Sequence, residues 1–408
     1  MGNMKGSFIE ELTWRELIYQ KTPGIEKAFK NNTTIYWGTD LTGDSLHVGH
    51  LLGCIALKRA YDFGNNIIIL LAGGTTRIGD PSGKDEERPI LSEEEILKNK
   101  EKLKKQLLHF FNFNDKQVEV VDNNDWLSKL SLIEFLRDAG KYISINSMMD
   151  KDSVKSRLLR KQGMSYAEFS YQLLQAYDFL HFFKTRNCNV QIAGSDQWGN
   201  MVQGVEFIRK KLKKQAYALS WPLITDSKTG KKYGKTEKGA PIWLDKEKTH
   251  PFAFYQFFIN QDDSIIGKLI RYYSFKSRRE IEELERKWKT QKHMRLLQKE
   301  LAYEMTMLVH GKEIANQCKR ASGVLFEKEK ADLKKEDIDF IKKAVLYKKI
   351  TSEKDFVLEQ ILVDLKLVPS KGEAKRLIQQ GGVKTEKMLN KYLLIRKGKK
   401  EWGIVEIS

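Results

Sequence analysis

The chain has 408 residues, 41% hydrophobic and 31% charged, and its 72 Lys and Arg against 54 Asp and Glu give a formal charge of +18. That length and apolar content suit two or three packed domains, while no apolar run approaches the roughly 20 residues of a membrane span. The positive balance favours a polyanionic partner such as nucleic acid, and the scattered Cys54, Cys188 and Cys318 have neither zinc nor disulfide-framework spacing. With no signal-peptide pattern at the N-terminus, a cytoplasmic protein in a reducing compartment, without membrane attachment, is expected.

Residues 34–37 form a short β-prone run that opens the stretch YWGTDLTGDSLHVGHL, residues 36–51. A turn there gives way to a helix beginning at His47-Val48-Gly49-His50. Two imidazoles three positions apart share a helix face, Gly49 lets a ligand approach the backbone, and a helix N-terminus favours phosphate. Such a unit suits a nucleoside triphosphate, although a short HxGH string by itself also fits an ordinary polar helix start.

Helical apolar spacing runs from 47 to 63, and residues 67–71 are continuously apolar before Gly73-Gly74. This βαβ pattern predicts a parallel sheet covered on both faces with a right-handed crossover. Polar clusters fall at the predicted strand ends: residues 38–44, 75–84, 123–126 after the run 118–121, and 195–200 after the run 190–193. In such sheets ligands bind beyond the carboxyl ends of the strands, so the clusters should converge on one cleft.

Residues 132–139, stopped by Gly140, and residues 170–183 read as helices. On the second, Tyr171, Gln175 and Asp178 share a face, and Asp178 is the one charge in SYQLLQAYDFL. This face reads either as a solvated polar stripe or, given so few charges, as a protected polar pocket. Residues 225–238 then form a glycine-bearing cationic loop with Lys231, Lys232, Lys235 and Lys238. It reads either as a surface hairpin or as a lid that grips phosphates, and it lacks the P-loop pattern.

Residues 251–349 are mostly helical in pattern and polar, with basic clusters at 276–279 and 286–289, and a charged linker runs near 328–337. Residues 351–408 read as a compact α+β module, with helices at 356–365 and 372–378 and strands around 392–396 and 403–407. The basic stretch 391–400, with Lys371, Lys375 and Arg376, predicts a surface that reads an RNA backbone.

With these motifs in order, the chain resembles the bacterial-type tyrosyl-tRNA synthetases, a class I aminoacyl-tRNA synthetase family, over nearly its whole length. HVGH is similar to the family's HIGH signature and KYGKT, residues 232–236, to its KMSKS signature, with IGDPSGK, residues 78–84, between them. SYQLLQAYDFL and GSDQWGN are similar to its amino-acid and adenosine segments. The resemblance implies an α/β protein with a Rossmann-like parallel-sheet catalytic domain at 1–224. It further implies a KMSKS-type loop and helical anticodon-binding domain at 225–335, then a linker and a small α+β RNA-binding C-terminal module at 336–408.

The implied reaction is activation of L-tyrosine with ATP to tyrosyl-adenylate, followed by transfer to the 3' end of tRNA(Tyr). ATP is a substrate carrying Mg2+ with it, no bound metal or organic cofactor is expected, and a homodimer is implied, with 132–139 and 142–149 as interface candidates. An RNA-binding paralogue without aminoacylation and the related tryptophan–tRNA ligase are the alternatives. By the same resemblance, Tyr36 and Asp178 bind the tyrosine hydroxyl, and Asp80, Tyr171 and Gln175 hold its ammonium. Thr42, His47, His50, Lys84, Arg88, Lys232 and Lys235 contact ATP or stabilise the leaving pyrophosphate. Gly38, Asp40, Gly49, Asp196 and Gln197 complete the adenylate and substrate pocket. Asp178→Asn is expected to be milder than Asp178→Ala, since an amide oxygen still accepts the phenolic proton. The family usually has a small residue or Cys where this chain has Trp37, Phe at Thr39, Pro at Leu41 and Gly at Thr76.

Overall fold

The computed structural model describes residues 7–82, 88–111, 115–159, 163–224, 234, 240–327, 334–343, 345–352, 355–388, 391–398 and 401–408. They form two compact units, one of Met1–Asp245 with Asp263–Ile281, the other of Lys246–Asp262 with Glu282–Ser408. Residues 263–281, which the sequence pattern groups with the helical domain, thus pack with the first unit.

The first unit is built on six strands: β1 (Gln20–Lys21), β2 (Thr34–Thr39), β3 (Asn66–Leu71), β4 (Val118–Asp122), β5 (Cys188–Gly194) and β6 (Tyr217–Trp221). Their order is β1-β6-β5-β2-β3-β4, parallel except for the short β1 edge. Because helices cover both faces, β3 is apolar and buried from Ile67 onward. The sequence pattern locates β2 to β5; it passes over β6 and the antiparallel β1. Chain order runs outward from β2 through β3 to β4 and then restarts at β5, so the switch point lies between β2 and β5, where Tyr36 faces Gln191 in register. Ligand crevices form at such points.

The first crossover helix, Val48–Asp62, is capped by the His47 side chain, which accepts from the Gly49 amide. The helix Glu93–Leu107 starts with a Ser92/Glu95 capping box and braces the turn after β2. From it Asn99 donates to the Leu41 carbonyl at 2.8 Å, and Gln106 Oε1 accepts from the Leu46 amide at 2.7 Å. Leu132–Phe135 is α-helical as expected but passes into a π-helical turn over Leu136–Gly140. Tyr166–Arg186 extends the predicted helix at both ends and closes with Asn187 in the left-handed region.

The second unit contains the helices Pro251–Ile259, Leu296–His310, Lys312–Glu327 and Lys335–Ile341, followed by a four-stranded sheet. Its strands are β7 (Leu346–Ile350), β8 (Val383–Lys387), β9 (Tyr392–Lys397) and β10 (Glu401–Ile407), in the order β7-β10-β9-β8. The helices Leu358–Asp364 and Lys371–Gln379 pack Ile361, Leu362, Leu365 and Ala374 against Ile350, Ile395 and Val405. Lys391, Lys397 and Arg396 pair with Glu406, Glu401 and Glu386 at 2.8, 2.9 and 3.7 Å, so these cations are partly neutralised in place. Lys371, Lys375 and Arg376 stand exposed. Among the described residues no helix is long and apolar enough to cross a membrane.

Candidate active site

A cavity of about 730 Å³ opens at the carboxyl ends of β2, β3 and β5 and is lined by Tyr36, Asp40, His50, Asp80, Tyr171 and Asp178. That volume suits a nucleotide-sized ligand. Gly38, Thr42, His47, Gly49, Arg88, Gln175, Asp196 and Gln197 line the same space. Lys84, Lys232 and Lys235 lie outside the described residues.

One pole is suited to a phenol. Tyr36 is buried with its ring 5.3 Å from that of Phe179 and 4.9 Å from that of Phe182, and its hydroxyl has no hydrogen-bond partner among the described residues. Beside it, Asp178 Oδ1 accepts from Trp126 Nε1 at 2.8 Å and Oδ2 from Asn123 Nδ2 at 2.9 Å. Burial pushes the Asp178 carboxyl up to about 7, against the two donors, which pull it down. Burial and then Asp178 hold the Tyr36 phenol well above its ordinary range. Trp126 is itself held by stacking on His181, with ring centroids 4.3 Å apart.

The other pole attracts a cation. Tyr171 donates to Asp40 Oδ1 at 3.0 Å, and Gln197 donates to Asp80 Oδ2 at 2.6 Å. Burial and the nearby Asp80 raise the Asp40 carboxyl to about 6. Two adjacent acids out of bulk water repel, and an ammonium between them relieves that repulsion. Asn200 fixes the neighbouring amide by donating to Gln175 Oε1 at 2.9 Å.

The N-terminus of the Val48–Asp62 helix lines the same cavity. The His47 and His50 rings stack at 3.9 Å, and an added Cβ at Gly49 would come within 2.8 Å of His47 Cε1, so the cap itself demands glycine there. Removal from bulk water, then His47 and Arg88, hold His50 well below the ordinary imidazole range; it is a neutral hydrogen-bonding group. Arg88 reaches the Asp80 carbonyl and the Thr42 hydroxyl, each at 3.2 Å. Gly234, at φ +94°, lines the cavity with its Cβ position 3.4 Å from the Gly49 nitrogen.

Sequence reasoning missed Asn123, Trp126, Asn200 and Gln191. Asn123 and Trp126 sit in a strand-end cluster that the pattern does mark, but neither residue type announces that it will buttress a carboxylate. Gln191 lines the cavity with its buried Oε1 lacking a partner among the described residues; a lone amide between Val190 and Ile192 was the available signal.

The family described as tRNA synthetases class I (W and Y) matches residues 27–327. A tyrosine–tRNA ligase of Roseiflexus castenholzii (strain DSM 13941 / HLO8) is 42% identical over 384 residues, 92% of this chain and 90% of the relative. The chain belongs to the class I tyrosyl-tRNA synthetases. Among solved structures, the C-terminally truncated mitochondrial tyrosyl-tRNA synthetase of Aspergillus nidulans superposes with a TM-score of 0.71 at 32% identity, covering 80% of this chain and 95% of that one. The corresponding Coccidioides posadasii protein gives 0.67 at 28% identity, over 78% of this chain and 92% of that one. The parallel sheet expected from the strand pattern, Rossmann-like as the resemblance implies, is therefore the fold of a tyrosyl-tRNA synthetase.

Proposed function

We infer that this chain is a tyrosine–tRNA ligase, which joins L-tyrosine and ATP into tyrosyl-adenylate with release of pyrophosphate and then esterifies the terminal ribose of tRNA(Tyr). The observation that carries this reading is the pairing of two poles in one cavity: Tyr36 with Asp178 for a phenol, and Asp40 with Asp80 for an ammonium. Free tyrosine has both groups at opposite ends.

In this reading Asp178 accepts the substrate phenol, the Asp40/Asp80 pair with Tyr171 and Gln175 holds the ammonium, and the tyrosine carboxylate is aimed at the ATP α-phosphate. Its attack there expels pyrophosphate, so no protein nucleophile is needed. His50, the Gly49 backbone, Thr42 and Arg88 grip the phosphates at the helix N-terminus, and Lys84, Lys232 and Lys235 supply cations to the leaving pyrophosphate. Rate enhancement comes from positioning and charge stabilisation. Magnesium enters on the triphosphate, whose oxygens are the hard ligands it prefers.

The three-part division at 224/225 and 335/336, with an anticodon-binding helical region and an RNA-binding tail, belongs to the same reading. So does a homodimer. Leu132, Ile133 and Ile145 are 70, 72 and 68% exposed, an apolar patch of the kind a second copy covers. Three buried free thiols suit a reducing cytoplasm.

ATP–pyrophosphate exchange measured with each standard amino acid tests the assignment. Exchange with tyrosine alone is expected; exchange with none, or with tryptophan instead, overturns it.

A further inference from the structure

Strands β3 and β4 end side by side, with Leu71 opposite Asp122, and the chain leaves β3 into the short helix Gly73–Thr76. Neighbouring side chains from the end of β4 hold the start of that helix. Asp122 Oδ1 accepts from the Gly73 amide at 3.1 Å, and Asn123 Oδ1 accepts from the Gly74 amide at 2.7 Å. The same Asp122 oxygen accepts from the Asn124 amide of its own segment at 2.9 Å, so one carboxylate ties the two strand ends together.

The approach is close enough to require glycine. A Cβ at residue 73 would stand 2.7 and 2.8 Å from the Asp122 carboxylate oxygens. Asp122 is 7% exposed, where an unpaired carboxylate is costly. Lys100, next to Asn99 on the Glu93–Leu107 helix, answers its Oδ2 at 2.7 Å.

Asn123 carries this clamp to the phenol pole. With its oxygen held by Gly74, its Nδ2 is turned to donate to the Thr75 hydroxyl at 3.1 Å and to Asp178 Oδ2 at 2.9 Å. Asn123 is fully buried and works across the two strand ends, so the aim of its amide depends on how those ends are joined.

We propose that Asp122, neutralised by Lys100, is a positioning residue for tyrosine selection: its carboxylate sets the join between the strand ends that aims Asn123 at Asp178. The proposal rests on the tyrosine-ligase reading above. Asp122 acts from behind the cavity wall, which Thr75 and Asp178 line. Once the clamp is lost, the Asn123 amide moves off and Asp178 no longer stands where a phenol needs its acceptor; a small misplacement costs much in a site built on geometry. A phenol feels that displacement and a bare phenyl ring does not, so tyrosine loses more than phenylalanine.

The test uses the full-length chain as wild type, Asp122→Ala, Asp122→Asn, Gly73→Ala, Asn123→Ala and the double variant Asp122→Ala/Asn123→Ala. Calorimetry gives the tyrosine and phenylalanine affinities, exchange gives kcat/KM for both and KM for ATP, and thermal unfolding reports folding. Absence of exchange in a wild type that still binds tyrosine overturns the ligase assignment alone, and the proposal is then judged on the affinity ratio; a wild type that binds neither amino acid overturns both. Asp122→Ala is expected to lower the tyrosine-over-phenylalanine ratio about tenfold, with KM for ATP held within about twofold. Asp122→Asn should keep the ratio within about threefold, because an amide oxygen still accepts from Gly73 and Asn124, even where loss of the ion pair lowers the melting temperature. In the Asn123→Ala background, Asp122→Ala should change the ratio no further. Should Asp122→Ala fail to fold, Gly73→Ala decides, since its Cβ drives the carboxylate off and should lower the ratio as much. An unchanged ratio in folded Asp122→Ala or Gly73→Ala, equal losses on both amino acids, an Asn variant as severe as Ala, or additivity in the double variant overturns the proposal.

Discussion

The Leu41 amide donates to the Thr76 hydroxyl across 2.8 Å, and that hydroxyl donates in turn to the Ala72 carbonyl at 2.6 Å. Both residues are departures from the family's usual Pro and Gly. Proline has no N–H to satisfy and glycine has no hydroxyl to satisfy it, so the two substitutions supply the donor and acceptor of a single bond. That bond, with Asn99 on the Leu41 carbonyl, fixes the turn next to Asp40.

Thr76→Ala is expected to destabilise the protein by about 1–3 kcal/mol, because a buried amide loses its acceptor. Leu41→Pro in the Thr76→Ala background should recover much of it, since no donor then remains. Urea unfolding of the single and double variants measures the coupling, and equal losses in both would show that the bond is not what holds the turn.

Asp178→Ala should lower kcat/KM for tyrosine far more than for phenylalanine, compressing their ratio by roughly 10- to 100-fold, the size of one hydrogen bond to a charged group. The tertiary structure reverses the expectation for Asp178→Asn. Each carboxylate oxygen already accepts from Trp126 or Asn123, so an amide must turn its NH2 toward one of these donors. Asn should therefore approach Ala in severity. Exchange kinetics on both amino acids decide, and an Asn variant with near wild-type tyrosine activation would count against this geometry.

Because burial raises the Asp178 carboxyl to about 7, the free protein loses its best phenol acceptor on acidification. The acid limb of kcat/KM for tyrosine should therefore rise through about pH 7 and flatten in Asp178→Ala. Stability has the opposite sign. Between the ordinary carboxylate range and about 7 the folded chain keeps a proton that the unfolded chain gives up, so this group's stabilising contribution is lost as pH rises through 7. Thermal melts of the ligand-free protein from pH 5 to 8, compared with Asp178→Ala, read that difference.

Charge reversal of Lys371, Lys375 and Arg376, exposed on the Lys371–Gln379 helix, should leave tyrosine-dependent exchange unchanged but weaken tRNA charging. The salt slope of RNA binding should drop by roughly one unit for each phosphate that is no longer neutralised. The same change at Lys391 should matter less, since Glu406 already pairs with it at 2.8 Å. Equal effects at Lys391 and Lys371 would assign the RNA surface differently.

The amino-acid order by itself determined the elements and the motifs. Apolar runs marked β2 to β5, the Tyr171/Gln175/Asp178 spacing put three polar groups on one helix face, and His47 to His50 marked a helix start. These properties are local, set by side-chain period and backbone chemistry over a few residues. Only the tertiary structure decided which distant residues meet. Asn123 and Trp126 reach Asp178 across 55 and 52 positions, Thr76 answers Leu41 across 35, and Gly53 makes room for Trp37. Composition gives no warning of such pairs, because hydrogen-bond satisfaction and close packing are properties of the assembled interior, where an unmade bond or an extra carbon is costly.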